Sequence, residues 1–226
     1  MSGAAALQPV VILISGRGSN MRCLIDRSRD ADACYRIGAV LSDRPDAPGL
    51  ATARGLGIET EAIAPPPDGD RAAYDRELAA AVARRAPFLV ALAGFMRVLS
   101  PAFIDAFAGR ILNVHPSLLP KYPGLHTHRR VLAAGDGAHG ATVHFVTAQL
   151  DAGPAVIQGQ IAVGPGEDEP CLAGRVLALE HRIYPLAVRW FCEGRLACRD
   201  GRAWLDGAAL AGPVQLPQID RPRGGP

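Results

Sequence analysis

Two stretches of this chain, Pro9 to Ile14 and Phe88 to Ala93, contain no polar side chain. A strand that is apolar on both faces has to be covered on both faces, and that is the habit of parallel sheets. The residues between the two runs supply the covering helices. Gly16-Arg17-Gly18-Ser19-Asn20 turns the chain into a helix reaching about Arg29, Arg36 to Leu41 reads as a second strand, and Leu50 to Leu56 as a short helix. Ile58 to Ala64 is a third strand, followed by a helix from about Asp70 to Arg85 with Tyr74, Leu78 and Val82 along one face. Strand and helix in alternation predict an α/β, Rossmann-like fold, with a mostly parallel twisted sheet and helices on both faces.

After Ala93 the pattern changes. Ile111 to Val114, Ala141 to Thr147 and Ala155 to Val163 read as strands, the last alternating as a half-exposed strand does, so mixed or antiparallel strands are expected in this half. Thr127 to Ala134 reads as a helix. A long helix from about Glu169 carries Leu172, Val176, Leu179, Ile183, Leu186 and Trp190 as one stripe, with Pro185 inside it. Asp200-Gly201, centred in Ala197 to Leu205, signals a hairpin. No repeat or linker divides the 226 residues. We expect a single domain over 1–226: a phosphate-binding half at about 9–94, a catalytic half at about 95–206, and mobile ends at 1–8 and 207–226.

Charge and cysteine content narrow the function. A formal net charge of +2 provides no strong pull toward nucleic acid or membrane. Lys121 is the only lysine, in a proline-rich stretch poorly suited to Schiff-base chemistry. The five cysteines lack metal-ligand spacing and read as reduced cytosolic thiols, which suggests a cytoplasmic protein.

Three features carry chemistry. The glycine turn lets backbone amides and a helix N-terminus approach an anion, best a phosphate, although a tight turn with nothing bound accounts for it equally well. It is not the dinucleotide fingerprint, because Met21 stands where glycine or alanine is needed. Asn113 and His115 are two residues apart at the end of an apolar run, so on a strand both side chains leave the same face before Pro116 stops the pairing. An amide donor beside an imidazole suits a carbonyl that becomes a tetrahedral oxyanion while protons move, and Asp151 is the acid expected to hold the imidazole. Ser117 lacks a second activating base, so direct transfer between two bound substrates is favoured over an acyl-enzyme. His126, His128 and His144 are read as polar pocket or capping residues, and no metal is expected.

The glycine turn, Leu92-Ala93-Gly94-Phe95-Met96-Arg97, the block NVHPSLLPKYPGLHTHRR from Asn113, LDAGP from Leu150 and EHRIYP from Glu180 together resemble the phosphoribosylglycinamide formyltransferases of purine biosynthesis. The resemblance runs from about Val10 to Leu205. It implies transfer of a formyl group from 10-formyltetrahydrofolate, as co-substrate, to the amine of glycinamide ribonucleotide. It further implies that Gly18, Ser19 and Asn20 hold the substrate phosphate, with Glu180 near the ribose and glycinamide. Arg71, Met96, Arg97, Val98, Leu99, Thr147, Ala148, Gln149 and Leu150 would line the folate site, and Asn113, His115 and Asp151 would be catalytic. Only small-molecule partners are expected, for a monomer or homodimer. Two departures from the family pattern are Arg17, where a small or neutral residue is usual, and Thr147-Ala148-Gln149, which lacks an acidic residue.

Overall fold

The computed structural model describes residues 6–66 and 69–216. Its elements, in chain order, are β1 (Gln8–Ile14), α1 (Ser19–Arg27), β2 (Tyr35–Ser42), α2 (Pro48–Gly55), β3 (Thr60–Ala62), α3 (Arg71–Ala83), β4 (Leu89–Leu92), α4 (Pro101–Ala106), β5 (Ile111–His115), α5 (Thr127–Ala134), β6 (Ala138–Phe145), β7 (Ala155–Ala162), α6 (Glu169–Cys192), β8 (Leu196–Arg199), β9 (Arg202–Leu205), β10 (Ala208–Ala209) and β11 (Val214–Leu216). One sheet has eight strands in the order β11-β7-β6-β5-β4-β1-β2-β3, and β10-β9-β8 form a small second sheet. From β3 to β5 neighbouring strands are parallel, whereas β6 runs antiparallel to both β5 and β7. The expected fold class is observed.

The apolar runs are explained by two cores. Val10, Ile12 and Ile14 point to the face covered by α1 and α6, while Val11 and Leu13 point to the face covered by α3 and α4. Each such side chain, fully withdrawn from water, contributes on the order of 1.5–3 kcal/mol. Helix α6 is the main cover of the first face and is more buried than its stripe implies: Tyr184, Ala187, Val188 and Phe191 are inside as well, and Leu186 is only partly so. Pro185 has no N–H to offer the carbonyl one turn before it. That carbonyl, of His181, accepts instead from the Cys23 thiol of α1 at 3.3 Å.

Several boundaries differ from the sequence reading. The third strand shrinks to Thr60–Ala62. Helix α4 was not anticipated, although Ser100 caps it by accepting from the Phe103 amide and Pro101 opens it. The hairpin turn at Asp200-Gly201 has positive φ at both residues, 50° and 68°, which suits a two-residue connection. Most consequential is the C-terminal stretch. Residues 207–216 were expected to be a mobile end, yet β10 pairs with β9, and β11 pairs in parallel with β7 at the edge of the main sheet. Gln8, placed with the N-terminal end, opens β1. Residues 1–5 and 217–226 of the expected ends, including Arg221 to Pro226, lie outside the described residues. No helix among the described residues is long and apolar enough to cross a membrane.

Tyr184 ties α6 to the sheet. Its buried hydroxyl lies 2.9 Å from the Leu92 carbonyl and 3.0 Å from the Leu112 carbonyl, bridging β4 and β5 one residue before Asn113. Tyr184→Phe is expected to cost about 1–2 kcal/mol, because buried acceptors lose their donor while the packing stays. Urea unfolding checks this through a lower midpoint at unchanged slope.

Candidate active site

Parallel register brings the candidate segments to one edge. Leu13 of β1 pairs with Leu92 of β4, which pairs with Asn113 of β5. The turns leaving β1, β4 and β5 therefore emerge side by side, with β1 and β5 about 10 Å apart across β4. The strand order reverses between β1 and β4, where open α/β sheets leave a crevice for ligands. Across that crevice the Met96 amide donates to Ser15 Oγ at 2.8 Å, joining the loop after β4 to the glycine turn.

On the β1 side, Gly18 precedes α1 in the left-handed conformation (φ 73°) and no side chain caps the helix. The first-turn amides thus remain available to an anion, backed by the helix dipole. Ser19 is exposed, and Asn20 is turned inward. Asn20 Nδ2 donates to Glu180 Oε2 at 2.6 Å, so the two residues assigned to the substrate phosphate and ribose do meet, although 160 residues separate them. Asn20 Oδ1 is buried with no hydrogen-bond partner among the described residues. Burial pushes the Glu180 carboxyl up to about 7, against the smaller lowering effect of the Asn20 bond.

The β5 side is denser. Asn113 lies opposite His144 in the β5–β6 register. His144 Nδ1 is 2.9 Å from the Phe145 carbonyl, which can only accept, so Nδ1 carries the proton. Burial holds the His144 ring neutral by lowering its pKa, which leaves Nε2 as an acceptor for Asn113 Nδ2 at 3.2 Å. The amide orientation of Asn113 is thereby fixed, with its second N–H uncommitted. His115 is buried, with Nδ1 3.5 Å from Asp151 Oδ2 and Nε2 3.0 Å from the Tyr122 carbonyl. Asp151, itself at positive φ (50°), has an 8% exposed side chain; it accepts the Gly124 amide at 2.8 Å and lies 3.8 Å from His144 Nε2. The expected trio is therefore brought together, and His144 joins it as a fourth member. Its place opposite Asn113 depends on strand register, which spacing along the chain does not reveal. Gly153 closes this corner: a Cβ there would fall 1.8 Å from the Phe145 carbonyl oxygen, so the loop after Asp151 packs against β6 only as glycine.

A cavity opens beside this group. Asn113, His144 and Asp151 line it together with Leu92, Phe95, Leu99, Ile104 and Val146, and Arg97, Val98 and Thr147 to Leu150 complete the wall. His115 is not on that wall but contacts Asp151, which is. Two expected folate residues are also off the wall. Met96 is mostly exposed, and Arg71 instead donates to the Val98 carbonyl, steadying the loop. Arg97 stacks over Tyr74 at 4.7 Å. Of the remaining histidines, His128 pairs with His139 at 3.0 Å, and His126 contacts Arg129.

Glu180 yields a stability prediction. A carboxyl whose pKa is higher folded than unfolded binds more protons in the folded state, so stability falls as pH rises from about 4.5 to about 7. The fall amounts to at most about 3 kcal/mol. Glu180→Gln is expected to remove it, and thermal unfolding of both proteins between those pH values checks this; parallel curves would assign the slope to another group.

Comparison with known proteins gives the family. The formyl transferase family profile matches residues 8–188. Phosphoribosylglycinamide formyltransferase of Escherichia coli (strain K12) is 50% identical over 201 residues, 89% of this chain and 95% of that protein. The Haemophilus influenzae protein of the same name is 39% identical over 204 residues, 90% of this chain and 96% of its own. The solved phosphoribosylglycinamide formyltransferase of Coxiella burnetii superposes with a TM-score of 0.88 at 42% identity, covering 94% of this chain and all of that one. The chain belongs to the formyl transferase family, among its phosphoribosylglycinamide formyltransferases.

Proposed function

We propose that the protein transfers the formyl group of 10-formyltetrahydrofolate to the amine of glycinamide ribonucleotide, giving the formylated ribonucleotide and tetrahydrofolate, a step of de novo purine biosynthesis. The observation that carries this reading is the convergence of Asn113, His144 and Asp151 on one cavity, with His115 against Asp151, two strands away from an uncapped helix tip. Gly18, Ser19 and Asn20 would receive the ribonucleotide phosphate on the α1 amides, and Glu180 would face the ribose and glycinamide. The cavity walled by Leu99 and Thr147 to Leu150 would take the folate, with its formyl group toward Asn113.

The chemistry follows from the donors. The substrate amine attacks the formyl carbon, the C=O π pair moves onto oxygen, and the tetrahedral intermediate collapses as the C–N bond to the folate breaks. The attacking nitrogen loses a proton and the folate nitrogen gains one. The free N–H of Asn113 can meet the developing oxyanion without reorganising, because His144 already holds the amide. His115 Nε2 donates to the Tyr122 carbonyl, which leaves Nδ1 facing the Asp151 carboxylate at 3.5 Å. His115, off the cavity wall, would act through Asp151, the member of the pair that lines the cavity and can pass protons between it and the ring. Holding both substrates at one sheet edge adds the proximity term.

A folate absorbance assay tests the reading: turnover is expected only when glycinamide ribonucleotide and 10-formyltetrahydrofolate are both present. Loss of formyl-folate without the ribonucleotide would indicate a hydrolase instead. His115→Ala is expected to lower kcat by about 10²–10⁴-fold while ribonucleotide affinity changes little. Asn113→Ala is expected to lower it by about 10²–10³-fold. A His115→Ala enzyme that loses ribonucleotide binding rather than turnover would remove His115 from the chemistry.

A further inference from the structure

The segment Ser117 to His126 between β5 and α5 touches both members of the His115–Asp151 pair, and does so through its backbone. The Tyr122 carbonyl accepts from His115 Nε2 at 3.0 Å, and two residues on the Gly124 amide donates to Asp151 Oδ2 at 2.8 Å. Where this backbone lies therefore decides how the imidazole and the carboxylate face each other. Tyr122 adopts positive φ (56°), a conformation that needs outside support in a non-glycine residue.

That support converges on a residue outside the pair. Asp136 Oδ2 accepts from the Tyr122 hydroxyl at 2.9 Å and from Lys121 Nζ at 2.9 Å. Asp136 stands in the tight connection between α5 and β6, where its own amide bonds the Val131 carbonyl at 3.3 Å and the next residue's carbonyl accepts the Val163 amide at 3.0 Å. It is thus fixed to regular structure. From α5, Arg130 packs over the Tyr122 ring at 5.3 Å and donates to the Pro123 carbonyl at 2.6 Å. Ser117 Oγ donates to the Lys121 carbonyl at 2.7 Å.

We infer that Asp136 is a positioning residue for His115: by holding the side chains of Lys121 and Tyr122, it sets the backbone that orients the imidazole against Asp151. The inference rests on the formyl-transfer reading and gives the chain's sole lysine a role in it. The two donors lower the Asp136 pKa and raise that of Lys121, so the clamp stays charged through the neutral range. Asp136 itself touches neither His115 nor Asp151, so its effect is expected on turnover more than on substrate affinity.

The test is a mutant cycle on the full-length enzyme. Asp136→Ala is expected to lower kcat by about tenfold, the scale of a sub-ångström misplacement, with the KM of each substrate within about twofold. Asp136→Asn, which keeps an acceptor for Tyr122, recovers most of the loss. In a His115→Ala background, followed by single-turnover kinetics, Asp136→Ala has no further effect, because the group it positions is gone. An equal loss in both backgrounds, a loss confined to KM, or an unchanged kcat would overturn the inference. NMR of the substrate-free protein at one fixed pH separates this result from failure of the formyl-transfer reading. The His115 ring resonances and the Gly124 amide resonance are expected to move together in Asp136→Ala, and unmoved resonances overturn the positioning role whatever the substrate is.

Discussion

The antiparallel junction of β5 and β6 is the constraint on which the candidate site depends. It sets Asn113 opposite His144 and, two residues on, His115 opposite Thr142. A slip of one residue would turn every side chain of one strand to the other face and dissolve the Asn113–His144 pair. The change from parallel to antiparallel pairing therefore separates the two tasks of the molecule. The parallel strands bring loop ends together, and the first antiparallel strand supplies the partner that fixes the amide.

Asp151 is the costly element of this arrangement. A carboxylate with an 8% exposed side chain has given up most of its hydration, and what offsets the loss is one backbone amide and the nearby His115 ring. Such a charge is tolerated where its partners are held rigidly. The rigidity has local sources: Gly153 allows the loop to lie against β6, and Tyr122, Gly124 and Asp136 fix the other wall. Glu180 represents the opposite solution. With Asn20 as its amide partner and no ion pair among the described residues, burial drives its carboxyl toward the neutral form.

Much of this could be read from the residues. The double-faced apolar runs announced the parallel sheet, and Asn113, His115 and Asp151 were identifiable from their types and flanking prolines and glycine. What could not be read depended on contacts distant in sequence. His144 acquires its place from strand register, the Asn20–Glu180 bond from the packing of α1 on α6, and β11 from an edge that only the finished sheet presents. Helix α4 is a different case: Ser100-Pro101 was a cap signal in plain view, but a six-residue helix leaves too short a periodicity to register.

The short strand β11 has a consequence beyond topology. Lying in parallel along β7, it occupies backbone donors and acceptors that would otherwise form a bare margin of the large sheet. Bare margins recruit strands from other molecules and seed precipitation. Val214, Gln215 and Leu216 thus act as a selvedge: the margin they present in turn is only three residues long, a poor template for a strand from another molecule.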